Sequence, residues 1–155
     1  MTERYTVIPR TLCFVFYQDR ILLIKKKFDK NYYYNALGGH IEYAEDIIEN
    51  AQRELLEEAG IKVKDTYIAG IVHAVNFFGE NVIVFVTVST ALNEKITASD
   101  EGELIWYPVA QIGEINIFKD LELFLEQINK NNGKRLFTCQ TKFDGKDKIL
   151  SIKFH

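Results

Sequence analysis

Residues 39–61 read GHIEYAEDIIENAQRELLEEAGI, and within them Ile47, Ile48, Ala51, Leu55 and Ala59 recur at the three-and-four spacing of one helical face. The pattern predicts a helix over Ala44 to Ala59, with Gly60 as its C-terminal cap. Along that helix Glu54, Glu57 and Glu58 fall at i, i+3 and i+4, which puts three carboxylates on one face, expected roughly opposite the apolar stripe. Like charges at that spacing repel. A hard divalent cation, which takes oxygen ligands, converts the repulsion into binding. Taken alone the cluster reads first as a solvated face, because glutamate is a good helix former and acidic clusters usually mark one.

Outward from this helix the chain alternates strands, turns and one more helix. Thr11 to Phe16 and Arg20 to Ile24 are apolar, β-branched runs flanking the polar turn Tyr17-Gln18-Asp19, an opening hairpin. The polar, tyrosine-rich segment Asp29 to Ala36 has no clean period and is expected to be a loop leading to Gly38-Gly39. Tyr67 to Val75 and Asn81 to Thr90 are predicted to pair across Phe78-Gly79-Glu80. A polar loop, Asn93 to Glu103, precedes the short strand Leu104-Ile105-Trp106-Tyr107, which Pro108 should end. Asp120 to Asn131 carries Leu121, Phe124, Leu125 and Ile128 on one face and is expected to be the second helix; the tail is a hairpin around Asp144-Gly145.

The 155 residues are enough for one core and too few for two ordinary domains, so residues 1–155 are expected to form a single domain of α/β class. A net charge of -3 argues against a partner held by a long run of nucleic-acid phosphates. Cys13 and Cys139 lie far apart in apolar stretches and read as reduced, buried spacers. No leader-like or membrane-spanning apolar run is visible, and a cytoplasmic location is the expectation.

Gly39-x5-Glu45-x7-Arg53-Glu54-Leu55-Leu56-Glu57-Glu58-Ala59-Gly60-Ile61 resembles the Nudix box at every fixed position. With common residue types near about 7% each, chance agreement is below roughly one in a million. The resemblance implies a Nudix-type α/β/α sandwich with a mixed β-sheet, and a Mg2+-dependent pyrophosphohydrolase in which Mn2+ can substitute. It further implies that Glu54, Glu57 and Glu58 are metal ligands, joined by the backbone of Gly38 and Gly39, that Arg53 and Glu45 orient them, and that one glutamate acts as general base. A further acid from a distant loop is assigned to Glu101, with Glu103 as the alternative.

Weaker resemblance spans almost the whole chain and is greatest to the MutT-like, 8-oxo-dGTP diphosphatase group. Its carriers are Arg20-Ile21-Leu22-Leu23 with the following lysines, Tyr34-Asn35-Ala36-Leu37-Gly38-Gly39, Phe118-Lys119-Asp120, and Lys142 to Asp147 with Ile149-Leu150. By that likeness Lys26 reaches the ligand, Asn35 reads a purine edge, Phe118 stacks on the base and Asp120 discriminates further. The chain departs from the group in two places. Phe118 and one acid stand where a tryptophan and two acids are usual, and His40 replaces a lysine beside the phosphates. A small nucleotide is the expected partner, with the protein a monomer or homodimer. Hydrolysis of another diphosphate derivative, such as a nucleotide sugar or capped RNA end, and a silent binding domain are the rival readings.

Overall fold

The computed structural model describes residues 3–155. Strands β1 (Ile8–Tyr17) and β2 (Arg20–Phe28) form the expected hairpin, yet they share only two residue pairs, Phe16 with Ile21 and Tyr17 with Arg20. Beyond the turn β2 swings away. Its first half pairs antiparallel with β6 (Glu103–Pro108), and its second half with β3 (Asn31–Asn35). The edge of β1 that β2 vacates is occupied by the chain just after β3: Cys13 N–H donates to the Leu37 carbonyl, Thr11 N–H to the Gly39 carbonyl, and Ile41 N–H to the Pro9 carbonyl. The glycine turn is thereby stitched to the middle of the sheet.

On its other side β1 runs parallel to β5 (Glu80–Ala91), which pairs antiparallel with β4 (Val63–Phe77). Parallel pairing of β4 with β7 (Phe137–Phe143) and antiparallel pairing of β7 with β8 (Ile149–Phe154) complete a mixed sheet. A short 3-10 turn, Val109–Glu114, precedes the second helix.

Two helices cover opposite faces of this sheet, and strand alternation decides which residues meet each one. Along β1, Cys13 and Val15 point to α1 (Ile47–Ala59) and join Leu22, Ile24, Leu37, Ala51, Leu55 and Ala59. Phe14 points the other way, toward α2 (Lys119–Asn131), and meets Val72, Val86, Leu121, Phe124, Leu125, Ile128 and Phe137. The architecture is the α/β/α sandwich expected from the sequence. Both cysteines are free and buried, and burial pushes the Cys13 thiol up to about 11. Among the described residues no helix is long and apolar enough to cross a membrane.

Three local expectations need correction. The segment expected as a loop from Asp29 to Ala36 contains strand β3; Lys25 pairs with Tyr34, Lys26 with Tyr33 and Lys27 with Tyr32. Tyrosine favours extended chain, but the strand is exposed or half-exposed along its length, so no period-two pattern marks it. Helix α1 starts at Ile47, not Ala44, because Asp46 is its N-cap: the carboxylate accepts from Ile48 and Glu49 N–H while Glu49 reaches back to the Asp46 N–H. Ala44 sits at φ +61° in the turn before the cap. The three glutamates, finally, are not opposite the apolar stripe. Glu58 is only 3% exposed and Glu54 lies at the packed edge, so only Glu57 faces outward.

Candidate active site

Asn50, Glu54 and Glu58 are four residues apart and form one polar ridge along the inner edge of α1. The ridge faces the glycine turn. A Cβ on Gly38 would strike the Thr11 backbone, and one on Gly39 would strike the Glu54 carboxylate. Gly38, at φ +148°, is therefore what lets the turn lie against β1, and Gly39 is what makes room for Glu54. The Gly39 carbonyl already accepts the Thr11 N–H.

Arg53 gathers the acids around it. Its Nε donates to Glu45 Oε2 at 2.6 Å, one terminal nitrogen to Glu57 at 2.9 Å, and the other to Glu54 and Glu45 Oε1, both at 3.2 Å. Glu42 lies 3.7 Å away. The guanidinium beside Glu45 holds that carboxyl down at about 2. Glu45 is the anchor of the arrangement, since Asn50 and the Glu42 N–H also donate to it.

Glu58 is in the opposite condition. Burial, then the Glu54 side chain, then the charge of Glu101 push its carboxyl up to about 8, against the counteracting charge of Lys26. Its Oε2 is buried without a hydrogen-bond partner. A buried carboxylate oxygen with no donor is costly unless something positive meets it.

In front of the ridge opens a cleft of about 1060 Å³. One wall is β2, which brings Lys25, Lys26 and Lys27; Lys25 also lies over the Tyr32 ring at 5.0 Å. Glu101 and Glu103 line the cleft beside that wall, Glu103 being the strand partner of Lys25. Their loop is held close because Gly102 packs directly on the Lys25 carbonyl, leaving no room for a Cβ. Lys26, Gly38, Gly39, His40, Arg53, Glu54, Glu57, Glu58 and Glu101 thus share one cleft, and Glu45 lies behind Arg53.

The three residues assigned to a base do not line that cleft. The Asn35 side chain accepts the Ala36 N–H. Phe118 precedes the first turn of α2, stacked on Tyr33 with centroids 5.1 Å apart and with Phe28 edge-on at 6.1 Å. Asp120 sits in that first turn, half-buried, accepting the Leu121 N–H, and burial raises its carboxyl above the ordinary range. Tyr34 N–H donates to the Asn116 carbonyl, so β3 and the chain entering α2 lie side by side and bring Asn35 and Phe118 into one neighbourhood.

Sequence reasoning missed Arg10, which lines the cleft, and Asn50, which is completely buried. A signal for Asn50 exists in retrospect: it stands four residues before Glu54, beside the apolar Ala51, where a polar residue is unexpected.

The donor set is all oxygen, with one buried carboxylate oxygen unpartnered and a glycine leaving space beside Glu54. That chemistry fits a hard divalent cation. Among the described residues no three acidic, histidine or cysteine side chains already converge as a preformed cage; Glu57 turns instead to Arg53.

The family profile of the NUDIX domain matches residues 7–128. The oxidized purine nucleoside triphosphate hydrolase of Mus musculus is 29% identical over 144 residues, covering 91% of this chain and 90% of its own length. The protein of the same description from Danio rerio is 30% identical over 146 residues, covering 92% and 91%. A crystal structure of a MutT protein from Bacillus halodurans superimposes with a TM-score of 0.80 at 25% identity, covering 96% of this chain and 97% of that one.

Proposed function

Since the chain belongs to the NUDIX domain family, we propose that it is a Mg2+-dependent pyrophosphohydrolase that cuts a nucleoside triphosphate, an oxidised purine deoxynucleotide such as 8-oxo-dGTP, into monophosphate and pyrophosphate. The observation that carries this reading is the buried ridge of Glu54 and Glu58, with its unpartnered oxygen, lying across one cleft from three lysines. A triphosphate entering there meets both acids and amines. The lysines attract its phosphates, whereas Glu54, Glu57 and Glu101 repel them unless a cation stands between. Magnesium, or manganese in its place, supplies that neutralisation when bound and lowers the pKa of water.

The chain's own residues divide the remaining work. Glu54, Glu57, Glu58 and Glu101 hold the cation, with the glycine backbone beside Glu54. Arg53 and Glu45 keep Glu54 and Glu57 in place. One glutamate takes the proton from the attacking water as the phosphoanhydride bond between the α and β phosphorus atoms breaks, releasing monophosphate and pyrophosphate. The oxidised purine is favoured by the relatives in Mus musculus and Danio rerio, and by the side-by-side run of β3, which carries Asn35, with the chain entering α2, which carries Phe118 and then Asp120, a carboxyl of raised pKa.

The test is pyrophosphate release across a nucleotide panel with magnesium and with chelator. Faster release from 8-oxo-dGTP than from dGTP, abolished by chelation, is expected. Equal rates on the two would sink the preference for an oxidised purine, and cleavage of a nucleotide sugar into two monophosphate fragments would move the substrate to another class.

A further inference from the structure

Asn50 belongs to none of the fixed positions of the sequence signature, yet it is the polar side chain most completely enclosed at the site, with no exposed surface. Its Nδ2 donates one proton to the His40 carbonyl at 2.8 Å and the other to Glu45 Oε1 at 2.7 Å. Its Oδ1 accepts the Thr11 hydroxyl at 2.5 Å. Both partners of the nitrogen are pure acceptors, so the amide has one possible orientation, and both of its protons are used.

These three bonds tie α1 to β1 and to the segment after the glycine turn, which backbone pairing already joins to each other, and add Glu45, which that pairing does not reach. Thr11 belongs to β1, His40 follows the glycine turn, and Glu45 precedes the helix cap. Arg53 meets the same two acceptors from the solvent side, donating to Glu45 and, at 3.4 Å, to the His40 carbonyl. Asn50 and Arg53 therefore grip one carboxylate and one carbonyl between them. Asn50 is the neutral, buried member of that grip, and an acid in its place would set a second carboxylate against Glu45.

We propose that Asn50 is a positioning residue for the metal-binding carboxylates: by fixing Glu45 and the turn after Gly39 it fixes Arg53, and through Arg53 the orientation of Glu54 and Glu57. The inference rests on the proposed cation site, and its consequence is specific. Removing the amide donors loosens the carboxylates that hold the cation and leaves the lysine wall, which meets the phosphates, as it was.

Asn50→Asp and Asn50→Ala test it through Mn2+ binding, read by electron paramagnetic resonance without nucleotide, beside steady-state turnover. Outer residues that orient metal ligands typically contribute 10- to 100-fold. Mn2+ affinity and kcat are expected to fall by about 10-fold or more, with nucleotide KM little changed at saturating metal. Because Asn50 acts through Glu45, Asn50→Ala added to Glu45→Ala should cost little beyond Glu45→Ala alone.

Should the Asn50 variants fail to fold, Thr11→Val breaks the same grip from the β1 side and should weaken Mn2+ in the same direction. Unchanged Mn2+ affinity in a folded variant, or fully additive losses with Glu45→Ala, would overturn the proposal. If the wild-type protein binds Mn2+ but cleaves no nucleotide, the proposed function fails while the Mn2+ comparison still decides the role of Asn50.

Discussion

Glu58 and Glu45 lie in one site and are pushed in opposite directions. Burial and the neighbouring acids raise Glu58 to about 8 from the ordinary 4.5, so the folded protein holds a proton that the unfolded chain has lost. A raised folded value contributes stability below pH 4.5 and loses it progressively as pH rises to about 8. Arg53 lowers Glu45 to about 2, so its contribution is present above pH 4.5 and lost as pH falls toward 2. In chelator, Glu58→Gln should therefore melt higher than wild type at pH 8 and nearly the same at pH 4, while its turnover with magnesium falls by about 100-fold or more. In the same thermal scans Glu45→Gln should flatten the loss of stability below pH 4.5. A wild-type melting temperature that rises in chelator between pH 5 and 8, with Glu58→Gln tracking it, would remove the account of Glu58 as a destabilised acid.

At the scale of elements, α1 and the glycine turn are built against each other, and the two glycines serve different neighbours. Gly38→Ala drives a methyl into the β1 backbone at a positive φ and should destabilise the whole protein. Gly39→Ala displaces only the Glu54 carboxylate, so it should keep most of the stability and lose Mn2+ affinity and turnover. Denaturant melts beside Mn2+ titration separate the two; equal loss of stability would mean the turn cannot be divided in this way. The existence of α1, its end at Gly60 and its acids were legible from apolar period and spacing. Its start was legible too, because Asp46-Ile47-Ile48-Glu49 has capping-box spacing; the expectation ran to Ala44 because Ala44 and Glu45 are themselves good helix formers. The strand β3 was hidden because pairing with β2, not burial of a face, makes it a strand.

Across the whole molecule the sheet separates two cores, and the helix on each face packs with its own set of residues. Leu55→Ala on the α1 face is expected to cost about 2–5 kcal/mol, and Phe124→Ala on the α2 face about 3–5 kcal/mol. Because the two share no packing neighbours across the sheet, the double variant should equal the sum within about 0.5 kcal/mol. Chemical denaturation of the three variants checks this, and strong coupling would show that the faces are not independent.

The sequence by itself determined the helix, its glutamates, the mixed strand pattern and the family likeness, because local spacing and apolar period are written along the chain. Tertiary structure alone decided that Glu58 is buried with an unpartnered oxygen, that Gly38 serves the fold while Gly39 serves Glu54, and that Asn50 joins β1, the glycine turn and Glu45. Those properties arise from what approaches a residue through space. Thr11 and Asn50 lie 39 positions apart, and no period or spacing along one chain encodes such a meeting.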